Sequence, residues 1–498
     1  MLPRTLGLAA LASSVLASAA AFLVPLPPQG AEQKPSILQE LPGSSGPATA
    51  RTRIQVGKGL LLDSRLGHAS LATGESGETY LFAHVSGADS PSARRAPPMN
   101  IALVIDRSGS MRGERIANAI AGALGTVERM RDGDSVTVVT FDTQAQVIVA
   151  PTKLTPDERP RIASRINQIR LGGDTCISCG LEAAMRELSQ TRLGEGQVNR
   201  MLLLSDGAAN HGVRDVPGLR SVSARMRGQG VSISTIGVDV DFDEKIMDAI
   251  AAESNGKHYF VAHASALPQV FSQEFDELAT SVASDAEMLV ELAPGVEVEE
   301  VFDRTFQRDG RKVRIPFGTF AAKQEKTALL RLRVADGARG NKEIATVRLG
   351  YHDLAEGRRG ECEGTLGLAI TDKASAQTEL DPFVAARLSR SRTAQTLTDA
   401  NKLFEAGRSE EAKKTLGRRA DELKKDEAVA VAAARRLAPA AAPMAAAKPI
   451  DRDFADQLGA VNNASASFGK GGGPGAAPSR NEKAQVRSNQ AEANAMHF

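Results

Sequence analysis

Five consecutive apolar residues, Ile101-Ala102-Leu103-Val104-Ile105, run directly into Asp106-Arg107-Ser108-Gly109-Ser110 and then into an amphipathic stretch over 114–130. A strand with no polar position has no wet face, so it belongs inside a parallel sheet covered by helices on both sides. The pattern repeats at 136–141, 200–205, 232–238 and 259–261, with 146–149 as a short edge partner. Between these runs, residues 156–169, 180–191, 219–227, 243–253 and 266–282 have the composition and length of helices. Strands alternating with helices specify an α/β domain with a doubly wound, mostly parallel sheet, here over 97–282.

A chain of 498 residues exceeds one core. Beyond 284 the helical pattern stops, and 285–372 carries short alternating strands separated by Gly and Asp, as at Asp309-Gly310 and Asp336-Gly337. That composition predicts a small antiparallel domain, sandwich-like. The segment 51–90 has similar strands and is expected to pack with it, since the two flank the α/β domain. Residues 377–437 read as a helical hairpin turning at Gly407-Arg408-Ser409, with Ser409 as N-cap. One such hairpin cannot bury its own apolar face. The remainder, 438–498, is rich in Ala and Pro and then in Gly, Ser and Asn, and is expected to be a disordered tail.

The first 24 residues are a targeting segment: a short basic start, an apolar run over 6–24, and small residues at Ala17-Ser18-Ala19. They read either as a cleaved secretory signal peptide or as an uncleaved anchor. Residues 25–50, rich in Pro, Gly, Ser and Ala, form a linker. The body is thus expected outside the cytoplasm, periplasmic or secreted, with no membrane contact except through that N-terminal segment. Sixty-one basic against 60 acidic residues leave no charge excess to point to nucleic acid. Export permits a disulfide. Cys176 and Cys179, in a CxxC at a helix start, are a candidate pair; Cys362 is the alternative partner of either, and a thiol-redox role needs flanking sequence that is absent.

Asp106, Ser108 and Ser110 place a carboxylate and two hydroxyls at a strand's carboxyl end, where open α/β sheets bind ligands. The same residue types before a helix equally serve as turn and cap. Two further segments favour a metal. Gly172-Gly173-Asp174-Thr175 opens a helix and offers a hydroxyl, and Leu204-Ser205-Asp206-Gly207 ends another core strand with a second carboxylate. Asp142 and Asp174 lie near the same edge as turn caps or water-mediated contacts, and His211 reads as an exposed loop residue.

With these segments in this order, the chain resembles the von Willebrand A family. The match runs through Val104–Met111, Gly173-Asp174-Thr175 with Ile177 and Gly180-Leu181, Leu203–Gly207 with Asn210, Thr235–Val238 and Gly256–Phe260. With its β flanks it is similar to bacterial exported proteins related to inter-alpha-trypsin inhibitor heavy chains and to regulators of calcium-activated chloride channels. The resemblance implies a metal-ion-dependent adhesion site. Ser108, Ser110 and Thr175 would touch the ion, and Asp106 and Asp206 would bind directly or through water. Five hard oxygen donors suit Mg²⁺ first, with Mn²⁺ or Ca²⁺ as alternatives, and not zinc. The expected function is non-enzymatic: binding a protein ligand through its exposed Asp or Glu. The alternatives are an accessory or regulatory subunit of an envelope complex or channel and, third, a metal-dependent or thiol enzyme.

Overall fold

The computed structural model describes residues 51–496 apart from 57–58, 75, 90–97, 191–195, 373–378, 438–442 and 469–478. The targeting segment and the 25–50 linker therefore lie outside the described residues. Strands β1 (Arg51–Val56), β2 (Leu60–Leu66), β3 (Ser70–Ala72) and β4 (Gly77–Gly87) come first. The α/β domain follows as β5 (Met99–Asp106), α1 (Glu114–Arg129), β6 (Ser135–Phe141), β7 (Ala145–Lys153), α2 (Glu158–Asn167), α3 (Ile177–Gln190), β8 (Val198–Ser205), α4 (Val216–Gly228), β9 (Ser232–Val238), α5 (Glu244–Glu253), β10 (His258–Val261) and α6 (Leu267–Ala279).

Its six strands run in the order β10-β9-β8-β5-β6-β7. All neighbours are parallel except β7, which closes the edge antiparallel to β6. All eight residues of β5 are buried, and the alternation of its side chains explains the double winding. Ile101, Leu103 and Ile105 face a core with Ala119 and Ala123 of α1 and Phe271 of α6. Ala102 and Val104 face another with Leu181 of α3, Leu219 of α4 and Ile246 of α5. Each fully buried aliphatic side chain here contributes roughly 1.5–3 kcal/mol, so the strand is pinned from both faces. The chain proceeds from β5 to β6 on one side and later returns to β8 on the other. The β5/β8 pair is thus the switch point of the sheet, where the loops leaving the two strands part and open a crevice.

Strands β11 (Ser281–Leu292), β12 (Val296–Phe302), β13 (Gln307–Asp309), β14 (Lys312–Ala321), β15 (Glu325–Val334), β16 (Gly340–Asp353) and β17 (Arg358–Thr371) follow. They form two sheets, β1-β2-β4-β15-β12 and β13-β14-β11-β16-β17-β3. The N-terminal segment supplies four of these strands, and β4 pairs with β15 from Gly77↔Val334 to Ser86↔Glu325. All pairings are antiparallel except β3 with β17. Leu62, Leu81 and Val85 from one sheet meet Met288, Val290, Ile315 and Val347 from the other in a shared core, as in a sandwich.

Helices α7 (Pro382–Glu405), α8 (Ser409–Leu437), α9 (Pro443–Ser467) and α10 (Arg480–Ala495) complete the chain. The hairpin turn falls as expected, with Gly407 at a φ of 74°, and α7 begins at Pro382. The tail 438–498, expected to be disordered, instead forms α9 and α10. The hairpin's apolar face requires this cover. Ile450, Phe454 and Val461 of α9, Phe468 just beyond it, and Val486 and Ala493 of α10 share one core with Leu397, Phe404, Leu416 and Leu423. The rings of Phe404 and Phe468 stack with centroids 4.4 Å apart. Alanine, the strongest helix former, dominates those segments, and the Gly and Pro residues between 469 and 478 obscured that signal. Among the described residues no helix is long and apolar enough to cross a membrane.

Candidate metal centre

Four neighbouring strands each deliver an aspartate to the carboxyl edge of the sheet. Asp106 closes β5, and Asp142, Asp206 and Asp239 directly follow β6, β8 and β9. Asp106 and Asp206 flank the switch point. Oδ1 of Asp106 accepts the backbone N–H of Ser108 at 2.8 Å, which turns the chain back over the strand end. Its Oδ2 accepts the hydroxyl of Ser205 at 2.5 Å. The hydroxyls of Ser108 and Ser110 lie 3.0 Å apart, and Ser110 Oγ donates to Asp206 Oδ1 at 2.6 Å. Four of the five expected donors therefore form one hydrogen-bonded cluster.

The fifth, Thr175, arrives on the loop before α3. Its backbone N–H donates to Asn210 Oδ1 at 2.8 Å, and its carbonyl accepts from the N–H groups of Asn210 and His211 at 3.1 and 3.2 Å. The N–H of Gly109 donates to Gly173 O at 3.0 Å and that of Gly172 to Arg107 O at 2.7 Å, tying this loop to the 106–110 turn. A methyl group added at Gly207 would lie 3.5 Å from Thr175 Oγ1 and 3.6 Å from Ser110 Oγ. Both hydroxyls thus border the same bare glycine. Asp106, Ser108, Thr175 and Asp206 are buried while Ser110 is exposed, so the cluster opens to solvent on the Ser110 side. Burial pushes the Asp106 carboxyl up to about 6, against the hydrogen bonds from Ser108 and Ser205 that lower it, while the nearby Asp206 charge adds to the rise.

The other sequence candidates divide. Asp142 is a turn residue: Oδ1 accepts from Gln144 N at 2.9 Å, and Oδ2 pairs with Arg107 at 2.8 Å. Asp174 lies 3.5 Å from Asn210 Nδ2. His211 is exposed and meets Thr175 through its backbone. Cys176 and Cys179 are joined in a disulfide at the start of α3, with Cα atoms 5.3 Å apart. Cys362 is a free thiol on β17, and burial pushes its pKa up to about 11.

Two participants were missed from sequence. Arg115, in the first turn of α1, donates to Asp206 Oδ2 at 2.6 Å and also pairs with Asp239 Oδ2. Asp239 is buried with φ 66°, a left-handed conformation that aspartate tolerates better than most residues. The signal for Asp239 was present, because it follows the apolar run of β9 as Asp206 follows that of β8. Nothing in the spacing singled out Arg115 among the charged residues of α1.

The sequence profile of the von Willebrand factor type A domain matches residues 100–273. Residues 100–273 are a von Willebrand factor type A domain. A solved von Willebrand factor type A protein from Catenulispora acidiphila superposes with a TM-score of 0.63 at 17% identity, covering 77% of this chain and 89% of that one. The ArnB paralog VWA2 from Sulfolobus acidocaldarius gives 0.52 at 16% identity, covering 79% and 98%. Both likenesses take in more than the A domain, so the flanking β layers belong to a shared fold. In sequence, an uncharacterised Synechocystis protein is 27% identical over 299 residues, 58% of this chain and 69% of its own length. The human inter-alpha-trypsin inhibitor heavy chain H4 is 24% identical over 233 residues, 44% of this chain and 24% of its own. The chain thus spans about a quarter of that human relative. Domains of type A typically mediate protein interactions, and many hold a divalent cation. The donors at this A domain's rim fit such an ion: two carboxylates and three hydroxyls, all hard oxygens, from three separate loops. Among the described residues no trio of His, Cys, Asp or Glu converges, so a metal here depends on the hydroxyls.

Proposed function

We propose that the A domain is a metal-dependent, adhesion-type binding module. Asp106, Ser108, Ser110, Thr175 and Asp206 hold a divalent cation, Mg²⁺ before Mn²⁺ or Ca²⁺, and an exposed Asp or Glu of a partner protein completes its coordination. The observation that carries this reading is the Asp106–Ser108–Ser110–Asp206 cluster at the β5/β8 switch point, with Thr175 bordering the same glycine. A cation would supply the positive charge that a partner's carboxylate recognises. The protein's own part is to preorganise the oxygens. The Ser108 N–H and Ser205 hydroxyl fix the Asp106 carboxylate, and Asn210 fixes the Thr175 loop. Two carboxylates give the ion little more negative charge than it needs to stay bound, which leaves it an electrophile toward a third.

The module works outside the cytoplasm, delivered by residues 1–24; the Cys176–Cys179 disulfide, a bond that persists in oxidising compartments, supports this. Domains of type A typically mediate protein interactions, which favours a binding module over an enzyme. The test is calorimetric titration of the full chain with Mg²⁺, Mn²⁺ and Ca²⁺, beside Asp106→Ala. Uptake of one ion per chain that the substitution abolishes is the expected result. No uptake of any of the three overturns the reading. Capture of partners with and without EDTA then tells an adhesion module from a subunit of a constitutive complex.

A further inference from the structure

Helix α10 packs on α7 and reaches β10, and the side chains of its polar face extend to α5 and, at its first turn, to the rim that carries the metal-centre residues. Residues 480, 483, 487 and 494 share one face of it, being three, seven and fourteen positions apart. Each meets an acidic residue of the segment after β9. Arg480 donates to Asp239 Oδ2 at 2.7 Å, Lys483 to Asp241 Oδ1 at 3.1 Å and Asn494 to Asp248 Oδ1 at 2.9 Å, while Arg487 pairs with Glu244 and stands over the Phe242 ring. Another face of α10 is held differently. Val486, Ala493 and Met496 enter the helical core, and Arg390 of α7 donates to Met496 O at 3.2 Å. The packing contacts begin at Val486, so the first turn, which reaches the rim, rests on the ion pairs of Arg480 and Lys483. The side chain of Arg480 is 71% exposed and that of Lys483 43%. Solvent and salt reach the cationic end of each pair and screen it.

Asp239 links this contact to the metal centre. Its Oδ2 takes both Arg480 and Arg115, and the other arm of Arg115 rests on Asp206 Oδ2. With Arg480 in place, Asp239 is already neutralised, and Arg115 is left to cover Asp206. Without Arg480, Asp239 would attract Arg115 more strongly and Asp206 would be less covered.

We propose that α10 is an internal regulatory ligand of the A domain: docked, it keeps the cation affinity low, and released from the rim, it raises that affinity. This rests on the metal-binding reading above and adds its control. The helix starts with its own capping box, Ser479 with Glu482, and once its first turns leave the rim they fray more readily than when docked.

The experiment compares the full-length protein with an Arg480→Glu, Lys483→Glu double variant. Mn²⁺ affinity is read by calorimetry, and docking of α10 by hydrogen exchange of amides 480–490. Faster exchange together with roughly five-fold or tighter Mn²⁺ binding, the lower range for coupled sites, is the expected result. Both substituted side chains reach solvent, and the milder Arg480→Gln, Lys483→Gln pair must show the same trend. Faster exchange with unchanged Mn²⁺ affinity overturns the regulatory role alone. Unchanged exchange overturns the ionic docking. No Mn²⁺ uptake by any form overturns the metal reading and this inference with it.

Discussion

One guanidinium nitrogen of Arg115 lies 2.6 Å from Oδ2 of Asp206, the carboxylate assigned to the cation. An arginine and a divalent ion compete for the same negative charge. Unit charges about 4 Å apart interact by roughly 4 kcal/mol at an effective dielectric constant of 20. The Arg115 side chain is 25% exposed, so solvent reduces its competition to about 1–2 kcal/mol. Arg115→Gln is expected to tighten Mn²⁺ binding by about ten-fold. Weaker binding in that variant, measured by calorimetry, would show that Arg115 positions Asp206 rather than opposing the metal.

Asp106 is the deepest donor, with no exposed surface. Asp106→Asn keeps the shape and one oxygen to accept from Ser108, but removes a charge the cation needs. Supporting shells alone are worth 10- to 100-fold in metal affinity, so losing this ligand is expected to cost at least about 100-fold in Mn²⁺ affinity. The melting temperature of the metal-free protein should fall little, because a buried carboxylate is itself costly. Retained affinity would remove Asp106 from the site.

The α/β domain was legible because β5 is apolar at every position between Ile101 and Ile105, a pattern that only a doubly covered strand tolerates. The site was legible because its oxygens sit where strands end. Arg115 was not, since its partners Asp206 and Asp239 are 91 and 124 residues away and meet it only through the strand order β9-β8-β5. The tail failed for the opposite reason. Taken alone, α9 and α10 have too few apolar residues to fold, and Phe454, Phe468 and Val486 find their burial against a hairpin encoded earlier in the chain. Local composition carries no record of that.

The Cys176–Cys179 bridge closes a very short loop directly after Thr175. For so few residues the loop-closure model gives about 2 kcal/mol, near the bottom of the usual range. The Cys176→Ala, Cys179→Ala protein should therefore melt about 4–8 °C lower and stay folded. If the bridge also holds the Thr175 hydroxyl on the cation, Mn²⁺ binding weakens several-fold in that variant and in wild type under reductant. Equal affinities in all three proteins would confine the bridge to stability.

His258 makes the domain acid-sensitive through a hydrogen bond that can be oriented. The Thr235 hydroxyl donates to Met247 O at 3.0 Å, so Nδ1 of His258, 2.9 Å away, donates to that hydroxyl. The lone pair of Nε2 is then left buried without a partner among the described residues. Protonating it would bury an N–H with no acceptor, and Arg487 stands nearby. Burial first, and that positive charge second, hold the imidazole down to about 4 against an ordinary 6.5. The unfolded chain thus binds a proton that the folded one refuses between these two values, and stability falls as pH drops through that window. From pH 8 to pH 5 the loss from this one group is about 2 kcal/mol. His258→Gln, which keeps a donor for Thr235 and does not titrate, should flatten that part of the acid limb in urea unfolding followed by circular dichroism. An acid limb of the same depth in the variant would assign it to other groups.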